Sequence, residues 1–189
     1  MDKVVDIAVD ERFMREALRE AMAAGAEDEI PIGAVIVFGG RVIAKGHNMT
    51  ERLHDPTAHA EMIAITAATE AMGGKYLNDC TLYVTVEPCP MCAAASAWAQ
   101  VGRIVYGAAD PKRGYSKFTP SLLHPKAEVA TGILAENDMD IPAARHLAAR
   151  ILTTAPFAPP DEAVMMEARQ TLLNCGALLI PGGFETHAW

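Results

Sequence analysis

The 189-residue sequence lacks the features of a membrane or secreted protein. No run of eighteen apolar residues occurs, so no segment has the length and character of a membrane-spanning helix. The first residues, Met1, Asp2 and Lys3, are not followed by the apolar core of a secretion signal. Four cysteines are too few for a disulfide framework and are typical of a reducing compartment. We therefore expect a cytoplasmic protein with no membrane anchor.

The chain also lacks an excess of positive charge. Lysine and arginine number 16 against 24 aspartates and glutamates, which gives a net charge of −8. Phosphate contacts need cations where the phosphates lie, so a nucleic acid must be bound through a local basic patch. The densest one is the basic loop, residues 111–118, where Lys112, Arg113 and Lys117 alternate with Tyr115 and Phe118. This mixture suits phosphate contact and base stacking, and a solvated surface loop is the other interpretation.

Alternating apolar patterns predict an α/β fold. The predicted elements are a helix capped by Asp10 and ending near Gly25, a hairpin of strands 32–38 and 41–45, a helix over 57–72, a strand over 80–86, a helix over 91–100, a strand over 103–106, and a segment over 129–134 that suits a strand or a helix start. A hairpin followed by alternating helices and strands predicts a three-layer α/β/α sandwich with a mixed sheet of about five strands.

His59, Cys89 and Cys92 have the character of zinc ligands. Zinc is bound by imidazoles and thiolates in tetrahedral geometry, and three protein ligands leave a fourth position for water, as in catalytic sites. No second C-x-x-C pair exists to complete a structural four-cysteine site, and Cys80 is interpreted as a core residue. A redox-active cysteine pair and a zinc-stabilised binding domain with no open position are the alternatives.

The spacing of Glu61 predicts a proton-transfer role beside the metal. His59 and Glu61 are two residues apart, so both can reach one ion only from the start of a helix, for which residues 55–57 supply the predicted cap. Prolines on both sides of Cys89 place the cysteine pair at the start of another helix. Zinc lowers the pKa of its water toward neutrality, and a carboxylate can then carry a proton to a leaving group.

The motif H-x-E followed by P-C-x-x-C resembles the signature of the zinc-dependent cytidine deaminase superfamily. Within it the chain is similar to bacterial tRNA adenosine deaminases over about residues 10–136. The matching segments are 30–35 (I-P-I-G-A-V), 46–48, 54–61 and 81–89. The resemblance implies a homodimer with one zinc ion per subunit that converts the wobble adenosine of a tRNA anticodon loop to inosine. The superfamily alternative is a free nucleobase or nucleoside deaminase of guanine or cytosine type, although guanine deaminases typically carry G-P-F-G-A-V in the first segment.

The same resemblance implies two substrate-binding residues. Asn48 matches the asparagine that contacts the base, and a turn asparagine in the left-handed conformation is the other interpretation. Asp110 matches an aspartate near the backbone of the flipped nucleotide, and a plain Asp-Pro turn is the other interpretation.

The similarity stops near residue 136, which predicts a deaminase domain over 1–136 and an atypical helical extension over 137–189. Members of the tRNA branch usually end in a helix with the pattern E-C-x-x-L, which is absent here. Two helices are predicted instead, over 141–152 and 161–173. Three roles are open to this extension: an oligomer contact, a lid, or a poorly ordered tail.

Overall fold

The structure, a computed structural model, describes residues 6–134. The elements in chain order are α1 (Ile7–Ala26), β1 (Gly33–Phe38), β2 (Arg41–His47), α2 (Thr50–Leu53), α3 (Ala60–Met72), β3 (Cys80–Val86), α4 (Pro90–Trp98), β4 (Arg103–Ala108) and β5 (Glu128–Thr131). A single 3-10 turn, Tyr115–Lys117, lies in the basic loop. The predicted extension over 137–189, with its two helices, lies outside the described residues. Within the described part, no helix is long and apolar enough to cross a membrane.

The sheet is mixed and has five strands in the order β2-β1-β3-β4-β5. β1 is antiparallel to both β2 and β3, whereas β3, β4 and β5 are parallel to one another. This confirms the predicted α/β fold with its hairpin. The last predicted segment, for which two structures were open, forms the edge strand β5.

Alternate side chains of the strands point to opposite faces, and each face buries its own apolar cluster. On one face α1 packs against β1, β3 and β4, and this cluster comprises Phe13, Met14, Ala17, Val35, Val37, Tyr83 and Val105. On the other face α3 and α4 cover a larger cluster that includes Ala34, Ile36, Leu82, Val84 and Ile104. The three predicted layers are therefore present.

The prediction that Asp10 caps the first helix is wrong. Asp6 is the cap, and its side chain accepts a hydrogen bond from the N–H of Ala8 at 3.1 Å. Asp10 lies inside α1 with only 2% of its surface exposed. Its carboxylate accepts hydrogen bonds from both terminal nitrogens of Arg103 at 2.7 Å and from the hydroxyl of Tyr83 at 2.8 Å. The capping pattern misled because aspartate also suits a buried ion pair, and the partners are 73 and 93 residues away.

The predicted start of the helix at residue 57 is also wrong. The side chain of Asp55 accepts hydrogen bonds from the N–H and the hydroxyl of Thr57, at 2.8 and 2.7 Å, and so forms a turn before the helix. The helix α3 begins at Ala60, and His59 is its cap residue with an extended backbone. The delayed start moves the histidine from the predicted first turn of the helix to its N-cap position.

Candidate metal centre and active site

The three predicted metal ligands meet where two helices begin. His59 and Cys89 are the N-cap residues of α3 and α4, and Cys92 lies in the first turn of α4. Neither cap side chain makes a capping hydrogen bond, so both can turn toward a metal instead. Gly46 of β2 allows the close approach of α3, because a Cβ there would overlap the backbone of Ala60. Both helices direct their positive N-terminal ends at the cluster, which favours thiolates.

The distances among these side chains fit a zinc ion. Nδ1 of His59 lies 3.7 Å from Sγ of Cys89 and 3.5 Å from Sγ of Cys92. All three ligand atoms lie within 4.8 Å of one another. Zinc bonds of the usual length in tetrahedral geometry would separate a histidine nitrogen from a cysteine sulfur by about 3.6 Å. An imidazole and two thiolates are also the donor set that zinc prefers, so this cluster can hold the ion.

The two cysteines differ in acidity because they share one cluster. A hydrogen bond with Cys92 lowers the pKa of the Cys89 thiol to about 4, against the effect of burial, and His59 lowers it further. The same hydrogen bond, together with burial, raises the pKa of Cys92. The hydrogen bond with Cys89 raises the pKa of His59. Cys89 is therefore already a thiolate that can bind a metal. Binding of the metal by Cys92 as well would release the proton that Cys92 holds.

Glu61 is buried next to the ligands, as the second residue of α3. Burial raises its pKa, while its own backbone N–H and His59 act in the opposite direction. A raised pKa lets the carboxyl group bind a proton more readily than a solvated glutamate does, which suits a group that accepts a proton and passes it on.

Asn48 follows β2 directly and is 3% exposed. It does not have the left-handed backbone conformation, so the interpretation as a turn asparagine of that type is wrong. Its amide Nδ2 donates to the carboxylate of Glu29 at 3.0 Å and to the hydroxyl of Thr50 at 2.9 Å. The next N–H, that of Met49, donates to the carbonyl of Ala58, so this segment lies against the chain that leads into the metal ligand His59.

The carboxylate of Asp110 shapes the start of the basic loop. Oδ1 accepts hydrogen bonds from the N–H groups of Lys112 and Arg113, at 2.8 and 2.9 Å. This is the Asp-Pro turn that the sequence left open as one of two interpretations. A contact with a nucleotide remains a prediction.

Tyr115 does not have the predicted stacking role. It is 7% exposed, and its ring lies edge-on to that of Tyr106 with centroids 6.2 Å apart. It belongs to the apolar cluster under α3 and α4. Phe118 is 48% exposed and remains available, as do the exposed Lys112 and Lys117. Because cations and aromatics are mixed along the loop, the sequence did not indicate that Tyr115 packs into the core and anchors the loop.

Two buried glutamates near the site were missed by the sequence analysis. Glu87 follows β3, and its carboxylate accepts hydrogen bonds from the N–H groups of Asp110 and Ser116, both at 3.0 Å. Glu29 precedes β1 and is fully buried beside Asn48. A charged residue close to the end of a buried strand could have indicated a buried carboxylate in each case. Only the fold shows which N–H groups donate hydrogen bonds to it.

Comparisons with known proteins agree with this geometry. The model of the family described as the cytidine and deoxycytidylate deaminase zinc-binding region matches residues 7–108, which contain all three metal ligands and Glu61. A second family model, MJ0874, matches residues 129–184.

Individual relatives point to base deamination. The tRNA-specific adenosine deaminase of Bacillus subtilis is 46% identical over 132 residues, which are 67% of this chain and 82% of that protein. A structure from a study of A-to-I editing by tRNA:A34 deaminases at the wobble position of transfer RNA is 47% identical, with a TM-score of 0.62 over 66% of this chain and 94% of the other. The guanine deaminase of Bacillus subtilis is 42% identical, with a TM-score of 0.50 over 52% of this chain and 64% of that chain.

Proposed function

The chain belongs to the cytidine and deoxycytidylate deaminase family, and we propose that it is a zinc-dependent hydrolase that converts adenosine to inosine at the wobble position of tRNA. The main support is that a histidine and two cysteines at zinc-binding distances lie beside a buried glutamate. This arrangement occurs in a chain that shares 46% identity with a tRNA-specific adenosine deaminase over most of that protein.

The site residues divide the reaction between metal binding and proton transfer. His59, Cys89 and Cys92 would hold the zinc ion, whose chemistry is to acidify water and so make it a nucleophile at neutral pH. Water adds to the ring carbon that bears the exocyclic amine. Glu61 accepts one proton of that water and passes it to the adjacent ring nitrogen. It then carries the second proton, from the hydroxyl group on the ring carbon, to the amine, which leaves as ammonia while the carbonyl of inosine forms.

Substrate contacts are assigned to three places around this centre. We propose that Asn48 contacts the base and that Asp110 lies near the backbone of the flipped nucleotide. The basic loop would contact phosphates with Lys112, Arg113 and Lys117. The charge of Arg113 acts on His59 and opposes the raised pKa of that residue, which places this end of the loop near the metal ligands. An anticodon base must be turned out of its stack to reach the site.

We also propose that the enzyme acts as a homodimer in the cytoplasm, where tRNA is found. Trp98 of α4 is 83% exposed. Met91, Ala94 and Ala95 lie at helical spacing on the same side of α4 and are partly exposed. An apolar helix face that ends in an exposed tryptophan is typical of a subunit contact, and we assign it to a second copy of the chain.

Deamination of a free purine is the second candidate, because the guanine deaminase of Bacillus subtilis is 42% identical to this chain. That similarity covers 64% of the other chain, against 82% for the tRNA-specific enzyme of the same organism. The segment 30–35, which reads I-P-I-G-A-V, also favours the tRNA branch.

The experiment that separates these functions compares substrates. The zinc-loaded full chain is incubated with a tRNA that carries adenosine at the wobble position, and in parallel with free adenine, guanine, cytosine and their nucleosides. We expect inosine in the tRNA and negligible ammonia from the free compounds. Guanine turnover with an unchanged tRNA would replace the proposal by the second candidate.

A further inference from the structure

Glu29 is a buried carboxylate that the deamination chemistry does not use. It lies between α1 and β1 and has no exposed surface. Burying an ionised carboxylate is costly unless hydrogen bonds replace the water that it loses. The partners of this carboxylate therefore indicate what it does in the fold.

Four donors surround the carboxylate, and all come from the five residues after β2. Oε1 accepts a hydrogen bond from the backbone N–H of Arg52 at 2.8 Å. Oε2 accepts from Nδ2 of Asn48 at 3.0 Å, from the backbone N–H of Glu51 at 3.2 Å and from the hydroxyl of Thr50 at 3.3 Å. Burial acts to raise the pKa of Glu29, but these hydrogen bonds outweigh it and lower the pKa. The group is therefore ionised at neutral pH and can only accept hydrogen bonds.

An ionised partner determines how the amide of Asn48 is turned. An asparagine side chain can present either its oxygen or its nitrogen to a neighbour after a half-turn. Only the nitrogen is compatible with the Glu29 carboxylate, because two oxygens without a proton between them repel each other. The bond from the same nitrogen to the Thr50 hydroxyl, at 2.9 Å, supports this orientation from a second direction.

The position of Asn48 makes this orientation relevant to the substrate. Its backbone N–H donates to the carbonyl of Ile32 at 3.0 Å, which anchors it to the chain entering β1. The N–H of Met49 donates to the carbonyl of Ala58 at 3.0 Å, one residue before the metal ligand His59. Hydrogen bonds of its backbone and of its side chain thus hold Asn48 beside the metal centre.

We propose that Glu29 is a positioning residue that holds the amide of Asn48 in a single orientation for recognition of the target base. The inference rests on the proposed function, since it concerns the same base-binding side chain. Glu29 itself does not touch the reacting atoms. It acts through Asn48, with Thr50 as an auxiliary support.

A double-mutant cycle tests whether Glu29 acts through Asn48. The variants are Glu29→Gln, Asn48→Ala and the double variant, assayed as full-length zinc-loaded proteins on an RNA hairpin with a wobble adenosine. Glutamine keeps the shape but offers an amide that tolerates either orientation of Asn48. We expect each single variant to lose about tenfold in kcat/KM, the effect of one well-made hydrogen bond. The double variant should lose no more than Asn48→Ala alone, because the amide that Glu29 holds is already gone. Losses that multiply would overturn the inference.

Two further measurements guard against a general loss of structure. Thr50→Val removes one bond to Asn48 and the longer bond to Glu29 but keeps Glu29 itself and its three other donors. Its smaller loss should also disappear in the Asn48→Ala background. Glu27→Gln is the matched control, because Glu27 contacts the same short helix through an ion pair with Arg52 at 3.0 Å and is partly exposed. We expect full activity from this control, and a loss equal to that of Glu29→Gln would contradict the inference.

The side-chain amide of Asn48 gives a readout that does not depend on turnover. In the wild type its two N–H protons should exchange slowly with water and have distinct NMR shifts, and Glu29→Gln should change both properties. Unchanged resonances would overturn the positioning role even if activity fell. A wild type that leaves the hairpin adenosine intact would instead overturn the proposed function and this inference with it.

Discussion

The carboxylate of Glu87 accepts a hydrogen bond from the backbone N–H of Ser116 at 3.0 Å, across 29 residues of the chain. Its other oxygen accepts from the N–H of Asp110, also at 3.0 Å. The N–H of Tyr115 donates to the carbonyl of Pro88, which precedes the metal ligand Cys89. The basic loop is therefore attached just before its first residue and again at Tyr115 and Ser116 to the turn that carries the first cysteine of the metal centre.

Gly114 should be sensitive to substitution because the loop passes directly over Glu87. A Cβ at residue 114 would overlap the Glu87 carboxylate, so Gly114→Ala must displace either the loop or the carboxylate that anchors it. We expect unfolding free energy to fall by about 1–3 kcal/mol, the usual cost of overpacking, and tRNA binding to weaken while zinc is retained. Urea denaturation, zinc analysis and binding titrations measure the three quantities.

Gly74→Ala is the control for that experiment. Gly74 follows α3, and no atom lies within 4 Å of the position that its Cβ would take. The substitution should leave stability and binding nearly unchanged. Equal effects of the two substitutions would show that the enclosed position of Gly114 has no special importance.

The metal centre was predictable because its chemistry is encoded locally. Proline beside Cys89 and the two-residue spacing of His59 and Glu61 both require helix starts, whatever the rest of the fold does. The strands of the sheet were predictable for the same reason, since β-branched residues and the Gly39-Gly40 turn act over short distances.

What the sequence could not show depends on contacts between distant residues. The partner of Asp10 is 93 residues away, and Glu29 meets Asn48 across 19 residues. Local patterns therefore assigned Asp10 to a helix cap and Tyr115 to a stacking surface. Both are buried, because the sheet brings partners to them that no short window of sequence contains.

Cys89 should be essential for metal binding. The Cys89→Ser variant loses a thiolate whose pKa is already low, and a neutral hydroxyl does not replace it as a ligand. We expect less than about a tenth of the wild-type zinc content, together with lower stability, since metal binding and folding are linked. Elemental analysis after dialysis measures the zinc. The buried Cys80 is the matched control, and Cys80→Ser should retain one zinc ion per chain. Full occupancy in Cys89→Ser would remove this cysteine from the ligand set.

Glu61 should be needed for turnover but not for metal binding. Glu61→Gln keeps the size of the side chain and cannot carry a proton between water and the leaving amine. We expect zinc content to be unchanged and kcat to fall by about 10²-fold or more, the usual scale of general acid-base catalysis. Single-turnover assays on the RNA hairpin measure the rate of the chemical step. Near-normal rates in a zinc-replete variant would rule out the role.

The buried pair of Asp10 and Arg103 should contribute stability that is lost in acid. Burial acts to raise the pKa of Asp10, but hydrogen bonds from Arg103 and Tyr83 and the charge of Arg103 lower it below its ordinary value of 3.8. The folded state therefore binds this proton more weakly than the unfolded state does. The stabilisation is present above about pH 4 and is lost as the pH falls from there through the lowered pKa.

Denaturation of variants tests this pair. Arg103→Met leaves Asp10 buried without its cation and should lower the unfolding free energy by about 3–5 kcal/mol at pH 7. Asp10→Asn should lose less stability than the wild type does when the pH is lowered from 5 to 2. The exposed pair of Glu11 and Arg15 is the comparison, and Glu11→Gln should cost at most about 0.5 kcal/mol. A wild type and an Asp10→Asn variant with parallel pH profiles would contradict the assignment.

The basic loop should account for the salt dependence of tRNA binding. Lys112, Arg113 and Lys117 are exposed on a chain whose net charge is −8, so long-range attraction cannot replace their local contacts. Replacing all three with alanine should weaken tRNA binding. It should also flatten the plot of log affinity against log salt by roughly 0.7–0.9 for each lost phosphate contact. Binding titrations between about 50 and 200 mM salt measure this slope.

A second triple variant separates loop contacts from net charge. Arg41, Lys75 and Lys126 are exposed cations outside the loop, and replacing them with alanine changes the net charge by the same amount. This variant should keep the wild-type slope, because it removes no phosphate contact. Loop and control variants with the same slope would show that the loop is only a solvated surface, and tRNA would then have to be bound elsewhere on the protein.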